Sequence, residues 1–106
     1  MSIATVESVS LRAAIALRRG EIGTVLGRYA AANPRLFGSV ARGDATAESD
    51  IDLLVDLVPG SGNELLRVAG IAEELSQLLG VRVDVVAASL LRDEVSASAQ
   101  ADSVAL

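Results

Sequence analysis

Two aspartates separated by one apolar residue, Asp50-Ile51-Asp52, stand at the start of an apolar run. On an extended strand, residues two positions apart point to the same side, so both carboxylates face one way. Carboxylate oxygens of this kind suit hard cations such as Mg²⁺ or Mn²⁺. An acidic strand end in water has the same pattern. However, two charges on an otherwise apolar strand cost free energy unless they are paired or bind a metal.

A third carboxylate, Asp84, lies in the middle of the β-branched run at residues 81–86. An unpaired buried carboxylate is costly, so Asp84 either forms a salt bridge, with Arg82 or another arginine, or takes part in chemistry. If its strand neighbours that of Asp50 and Asp52, the three carboxylates form one metal site. Metal ions held there can bridge triphosphate oxygens and position a hydroxyl for in-line attack.

A Gly-Ser pair, Gly38-Ser39, follows the short apolar run at residues 35–37. Glycine lets the backbone approach a ligand closely, and the free amides of a helix start bind anions, so a phosphate fits this turn. Ser39 is also a common type of helix N-cap, and the pair taken alone is more typical of an ordinary N-cap with glycine in a tight turn.

The composition removes several classes of enzyme chemistry. The 106-residue chain has no His and no Cys, and all nine of its basic residues are Arg. The absence of His and Cys therefore excludes catalytic triads built on histidine, thiolate nucleophiles and His or Cys zinc sites. The absence of Lys excludes lysine Schiff bases and the P-loop lysine. If the chain is an enzyme, its catalytic groups must be carboxylates, arginines, hydroxyls, backbone amides or a bound metal ion.

The charge and the termini set expectations about partners and location. A net charge of −5 argues against capture of a nucleic-acid backbone, which requires a basic surface. Without cysteine there is no disulfide framework, and the sequence shows no signal peptide and no membrane span. We expect a cytoplasmic protein that binds neither nucleic acid nor membrane directly.

The first half of the chain predicts a helix followed by a strand. Apolar spacing indicates a helix over residues 11–32 with a break near Gly20, ended by Asn33-Pro34 because proline disfavours helical geometry in the residue before it. A short strand over residues 35–38 then leads into a helix with Ser39 as its N-cap. Residues 1 to about 12 have no assigned role.

The second half predicts two strands around a long helix. Residues 50–56 and 81–86 are strands, and residues 64–79 form a helix with Gly80 as its C-terminal cap. The segment at residues 58–63 is a loop, residues 90–99 are compatible with a helix, and the polar tail beyond them is expected to fray. The length favours a single domain over residues 1–106. The fold class is α+β (α/β), a small mixed sheet with helices packed mainly on one face.

The motifs together resemble a known family. Gly38-Ser39, ten intervening residues and then Asp50-Ile51-Asp52 is the spacing of the DNA-polymerase-beta-like nucleotidyltransferase superfamily. The strings LFGSVARG at residues 36–43 and SDIDLLVD at residues 49–56 look like its minimal nucleotidyltransferase (MntA-like) branch. The likeness covers residues 18–86 and continues more weakly to residue 106.

This resemblance implies roles for particular residues. Gly38 and Ser39 would bind nucleotide phosphates, and Arg42 in the family's A-R-G segment would support the phosphates or the acidic cluster. A structural ion pair of Arg42 with an acidic neighbour is an equally open interpretation. The metal ligands and catalytic carboxylates would be Asp50, Asp52 and Asp84, with Asp84 also acting as base toward the acceptor hydroxyl. Arg82 is interpreted as structural.

The resemblance also implies a biological setting. Members of this branch are typically encoded beside a HEPN-domain ribonuclease toxin and act as antitoxins that transfer AMP from ATP, with Mg²⁺ or Mn²⁺, onto a tyrosine of that toxin. Two other hypotheses stay open: neutralisation of the toxin by binding alone, and nucleotidyl transfer to a small molecule such as an aminoglycoside. The sequence does not indicate the oligomeric state or the preferred nucleotide.

Overall fold

The computed structural model describes residues 5–46, 48–90 and 103–106. The helices are α1 (Val6–Leu17), α2 (Arg19–Arg28), α3 (Gly38–Arg42) and α4 (Glu64–Leu79), with a 3₁₀ turn at Ala88–Leu90. The strands are β1 (Ala31–Phe37), β2 (Ile51–Leu57), β3 (Val83–Ala87) and β4 (Val104–Ala105). None of the helices in the described ranges is long and apolar enough to cross a membrane.

The four strands form one mixed sheet in the order β3-β2-β1-β4. Strand β1 pairs antiparallel with both β2 and β4, whereas β2 and β3 run parallel. This arrangement confirms the predicted α+β class with a small mixed sheet and flanking helices.

The two faces of the sheet differ in chemistry because side chains alternate along a strand. Ile51, Leu53 and Val55 point to one face, where they form the aliphatic core with helix residues such as Ile71 and Leu75. The opposite face carries the intervening positions, which include Asp52 and Asp56 of β2, Asp84 of β3 and the fully buried Leu54. The core thus holds the strands in place from one side and leaves the carboxylates on the other.

The predicted single N-terminal helix is wrong in its bounds. The chain forms two helices that meet at Arg18, not at Gly20, and the second ends at Arg28. Strand β1 then begins at Ala31, before Pro34 and not after it. Asn33 has a positive φ of 54°, and the β1–β2 register shifts between Ala32 and Arg35. This β-bulge accommodates Pro34, which has no amide hydrogen to donate to the hydrogen bonds between the strands.

Three other expectations are corrected. Strand β3 starts two residues later than predicted, at Val83, and Ser39 is not a cap because the N-cap of α3 is Phe37. The tail does not simply fray, since Val104–Ala105 pairs with β1 at the edge of the sheet. The helix considered at residues 90–99 falls almost wholly outside the described residues. By contrast, α4 and its Gly80 cap, with φ of 72°, match the prediction.

Candidate active site

The sheet register brings two of the predicted carboxylates side by side. Asp52 on β2 is the direct partner of Asp84 on the parallel neighbour β3. On its other side, Asp52 is paired with Phe37, the last residue of β1. Asp50 precedes β2 by one residue, so the three aspartates lie at one end of adjacent strands.

Gly38 occupies a position whose conformation and close neighbour both favour glycine. Its φ is +71°, a left-handed conformation that L side chains rarely adopt. A Cβ atom built on Gly38 would overlap the Asp52 carboxylate and lie 3.1 Å from its Cγ. The backbone of the Gly38-Ser39 turn is therefore pressed against the carboxylate of Asp52.

Ser39 follows in the first turn of α3 and is half-buried. Its carbonyl accepts a hydrogen bond of 3.0 Å from the Asp44 amide, while its hydroxyl has no hydrogen-bond partner among the described residues. The hydroxyl is therefore available to a ligand at the turn.

The carboxylates repel one another at this end of the sheet. The pKa of Asp52 is raised, first by partial burial and then by the charges of Asp84 and Asp50. The guanidinium of Arg42 acts in the opposite direction and lowers it. A cation placed among these groups would relieve the repulsion.

Arg82 bridges the two outer carboxylates. Its Nε lies 3.3 Å from Asp84 Oδ1 and 3.8 Å from Asp50 Oδ2. The Arg82 side chain is 73% exposed, and ion pairs this exposed contribute little stability. The salt bridge considered for Asp84 thus exists, but the same arginine also contacts a second site carboxylate.

The donor set fits a hard divalent cation in its chemistry, since three carboxylates lie at one end of adjacent strands. Within the described residues, however, no three acidic side chains are close enough together to hold one metal ion. Arg82 takes up the space between Asp50 and Asp84.

Arg42 forms the structural ion pair that was one of its two interpretations. Its Nε lies 3.3 Å from Asp44 Oδ2, with both side chains more than half exposed. It also acts electrostatically on Asp52, as its effect on that pKa shows. Both interpretations therefore remain compatible with its position.

Two sets of contacts near the candidate site were not predicted from the sequence. Arg82 was interpreted as structural, and its ion pair with Asp84 agrees with that interpretation, but its second contact, with Asp50, was not anticipated. The unassigned N-terminal residues also contact the segment after Ser39, through Thr5, Ser8 and Arg12. Their spacing of three and four residues places them on one helix face and was the available signal.

Comparison with known proteins identifies the class to which this fold and site belong. The nucleotidyltransferase domain family matches residues 27–105, which is most of the chain. The chain therefore belongs to the nucleotidyltransferase domain family.

Two individual relatives have names that describe a particular activity. The chain is 41% identical over 63 residues to protein adenylyltransferase MntA of Thermococcus cleftensis, covering 58% of this chain and 60% of that protein. A candidate protein adenylyltransferase of Methanocaldococcus jannaschii is 36% identical over 59 residues, covering 56% of this chain and 59% of that protein. The matches thus span about 60% of the length of these relatives.

Two solved structures share the fold. One, a candidate minimal nucleotidyltransferase, is 37% identical with a TM-score of 0.75 and covers 93% of this chain and 95% of its own. The other, from a crystal structure of a toxin-antitoxin with AMP-PNP, is 23% identical with a TM-score of 0.59 and covers 72% and 61%. The second likeness concerns the fold alone.

Proposed function

We propose that this chain is a metal-dependent nucleotidyltransferase that moves AMP from ATP onto a hydroxyl of a protein, and that it acts as an antitoxin. The observation that carries the proposal is the register of Asp52 beside Asp84 with Gly38 against the Asp52 carboxylate. A phosphate-binding turn and a carboxylate cluster are the two parts that nucleotidyl transfer needs. The printed names of the curated relatives support adenylyl transfer to a protein.

The proposed reaction forms a bond between the acceptor oxygen and the α-phosphorus of ATP while the bond to the pyrophosphate oxygen breaks. Asp84 accepts the proton of the acceptor hydroxyl, and pyrophosphate leaves with the electron pair of the broken bond. Asp50, Asp52 and Asp84 would hold Mg²⁺ or Mn²⁺, which supplies positive charge against the phosphate oxygens. The Gly38-Ser39 turn binds the phosphates, with Arg42 supporting them.

The proposed partner is a HEPN-domain toxin, and the proposed acceptor is a tyrosine of that toxin. The net charge of −5 suits a partner with a basic surface. A relative in fold was solved as a toxin-antitoxin with AMP-PNP, which agrees with a toxin and a nucleotide as ligands. We place this activity in the cytoplasm and in a single domain over residues 1–106.

The direct test incubates the protein with labelled ATP, Mg²⁺ and the product of the adjacent gene. We expect the label to appear on that product, and the double variant Asp50→Ala, Asp52→Ala to lower the transfer rate more than about 100-fold, as loss of key electrostatic groups does. The matched control is Asp56→Ala on the same strand. Asp56 binds Arg35 at 2.7 Å and lies at the other end of β2, so its variant keeps its activity.

Two results would contradict the proposal. The first is absence of transfer by the wild type with every divalent metal tested. The second is full protection of growth against the toxin by the double variant, because protection without the carboxylates means that binding alone neutralises the toxin.

A further inference from the structure

Helix α1 contacts the segment that follows the Gly38-Ser39 turn. Three of its polar residues, Thr5 at the N-cap, Ser8 and Arg12, face this segment at residues 40–45. They precede the region that the nucleotidyltransferase family matches, which starts at residue 27. The contacts are therefore additional to the motif that defines the family.

The first group of contacts fixes the backbone around Ala45. The Ala45 amide donates to Ser8 Oγ at 2.9 Å, and the Thr5 hydroxyl donates to the Ala45 carbonyl at 2.6 Å. The Thr5 amide also donates to the Gly43 carbonyl at 2.8 Å. Ser8 and Ala45 are both fully buried, at 0% exposure. Buried bonds of this kind allow the backbone little freedom, because a broken one leaves an unsatisfied polar group.

The second group of contacts fixes the end of α3. Arg12 donates from Nε to the Val40 carbonyl at 3.2 Å and from Nη2 to the Ala41 carbonyl at 2.5 Å. A positive charge at the carbonyl end of a helix is favourable. Helix α3 has only five residues and is too short to be stable by itself. Its orientation therefore depends on what packs against it.

We infer that α1 positions the phosphate-binding turn, and that Thr5, Ser8 and Arg12 are positioning residues for nucleotide binding. The turn at Gly38-Ser39 is joined at one end to β1, which the sheet holds, and at the other to α3, which α1 holds. Release of the second attachment frees Ser39 to move relative to Asp52. The inference rests on the proposed function, since it assumes that this turn binds nucleotide phosphates.

The test compares Arg12→Gln with Arg18→Gln. Both changes remove one guanidinium near α1, but within the described residues the Arg18 side chain forms an exposed pair with Glu21 at 3.0 Å and has no hydrogen bond to α3. Dissociation constants for a nonhydrolysable ATP analogue are measured at a temperature where both variants are folded. We expect Arg12→Gln to weaken binding three- to tenfold and to raise the KM for ATP, with the KM for the acceptor protein unchanged. Arg18→Gln is expected to match the wild type.

Hydrogen–deuterium exchange over residues 38–46 provides an independent measurement. We expect faster exchange there in Arg12→Gln and in Ser8→Ala, and unchanged exchange in Arg18→Gln. If Ser8→Ala does not fold, Arg12→Gln alone decides, because Arg12 is exposed whereas Ser8 is fully buried. A purely structural role would lower the folded fraction and leave the affinity and KM of the folded molecules unchanged.

The outcomes separate this inference from the proposed function. If the wild type binds nucleotide and transfers AMP while Arg12→Gln binds as tightly as Arg18→Gln, the inference is wrong and the proposed function stands. If the wild type binds no nucleotide, both are wrong. Faster exchange at residues 38–46 together with a weakened affinity supports the inference.

Discussion

Asp52 is the residue at which the demands of folding and of the proposed chemistry conflict. It sits between Asp84 on the neighbouring strand and the Gly38 turn, and its pKa is raised by partial burial and by two neighbouring negative charges. A raised pKa means that the folded state disfavours the charged form. We therefore expect the carboxylate to destabilise the protein at neutral pH when no cation is bound.

We predict that Asp52→Asn stabilises the metal-free protein at neutral pH. Below the ordinary value of 3.8 the carboxyl is protonated in both the folded and the unfolded state, so the ionisation has no effect. As the pH rises from there through the higher pKa of the folded state, the unfolded state loses its proton more readily and the wild type loses stability. The stability advantage of the variant should grow over this window and then level off. Urea unfolding with a chelator at several pH values measures it.

The matched control for this prediction is Asp56→Asn on the same strand. Asp56 accepts hydrogen bonds from Arg35 at 2.7 Å and from Asn33 at 3.0 Å, so its neutralisation removes attraction. It should lower stability slightly or leave it unchanged. A destabilising Asp52→Asn at pH 7 would show that the charge repulsion inferred here is not what Asp52 experiences.

At the scale of elements, a buried arginine joins three parts of the fold. Arg67 on α4 is only 7% exposed, and its guanidinium donates to three carbonyls: Tyr29 at 2.8 Å, Ala30 at 2.7 Å and Val58 at 3.1 Å. These carbonyls lie at the end of α2, in the turn into β1 and just after β2. The cation is thus satisfied by backbone oxygens at a helix C-terminus, which favours positive charge.

We predict that Arg67→Met lowers the free energy of unfolding by about 2–3 kcal/mol. The methionine fills part of the space but removes the donor of the Tyr29 and Val58 carbonyls, whereas the Ala30 carbonyl keeps its hydrogen bond from the Val58 amide at 2.9 Å. An unsatisfied buried carbonyl costs about 1–3 kcal/mol, and Val58 is exposed, so the Tyr29 carbonyl carries most of the loss. The control is Arg28→Met on α2, since Arg28 pairs with Glu74 at 2.7 Å and is 59% exposed. Its loss should cost less than about 1 kcal/mol. Denaturant unfolding that gave equal losses for the two variants would refute the assigned role of Arg67.

Local signals explain which elements could be predicted from sequence. Helix α4 carries its own start and stop, because Asn63 accepts from the Leu66 amide and Gly80 adopts the left-handed conformation. The start of β1 had no such signal. The chain turns there at Ala30, whose φ is 51°, and this conformation is supported by Arg67, 37 residues away. Long-range contacts of this kind do not show in the local pattern.

In the candidate site, too, the features set by local sequence spacing could be predicted and those set by long-range contacts could not. Spacing alone placed Asp50 and Asp52 on one face, and the parallel pairing of β2 with β3 brought Asp84 beside Asp52 as anticipated. The Arg82 bridge and the support from α1 depend on tertiary placement. The roles assigned to these site residues, like the single domain over residues 1–106, stay predictions.

At the scale of the whole molecule, the aliphatic core and the site aspartates lie on opposite faces of the sheet. One face of the sheet is covered by helices that contribute an aliphatic core, and the other bears the aspartates. With no His and no Cys, the chain has neither of the nitrogen and sulfur ligands that would favour zinc over magnesium. The net charge of −5 adds to the attraction for a divalent cation.

We therefore predict that Mg²⁺ stabilises the folded protein as a whole. A ligand that binds only the folded state at 100 times its dissociation constant adds about 2.7 kcal/mol, which raises the Tm of a domain of this size by roughly 10 °C or more. The measurement is thermal unfolding in Mg²⁺ against a chelator at matched ionic strength. In Asp50→Asn, Asp52→Asn the Tm should be higher than that of the wild type in chelator, yet insensitive to Mg²⁺. An equal rise in both proteins would mean that Mg²⁺ acts elsewhere on the acidic surface, and no rise in the wild type would mean that the aspartates do not form a metal site.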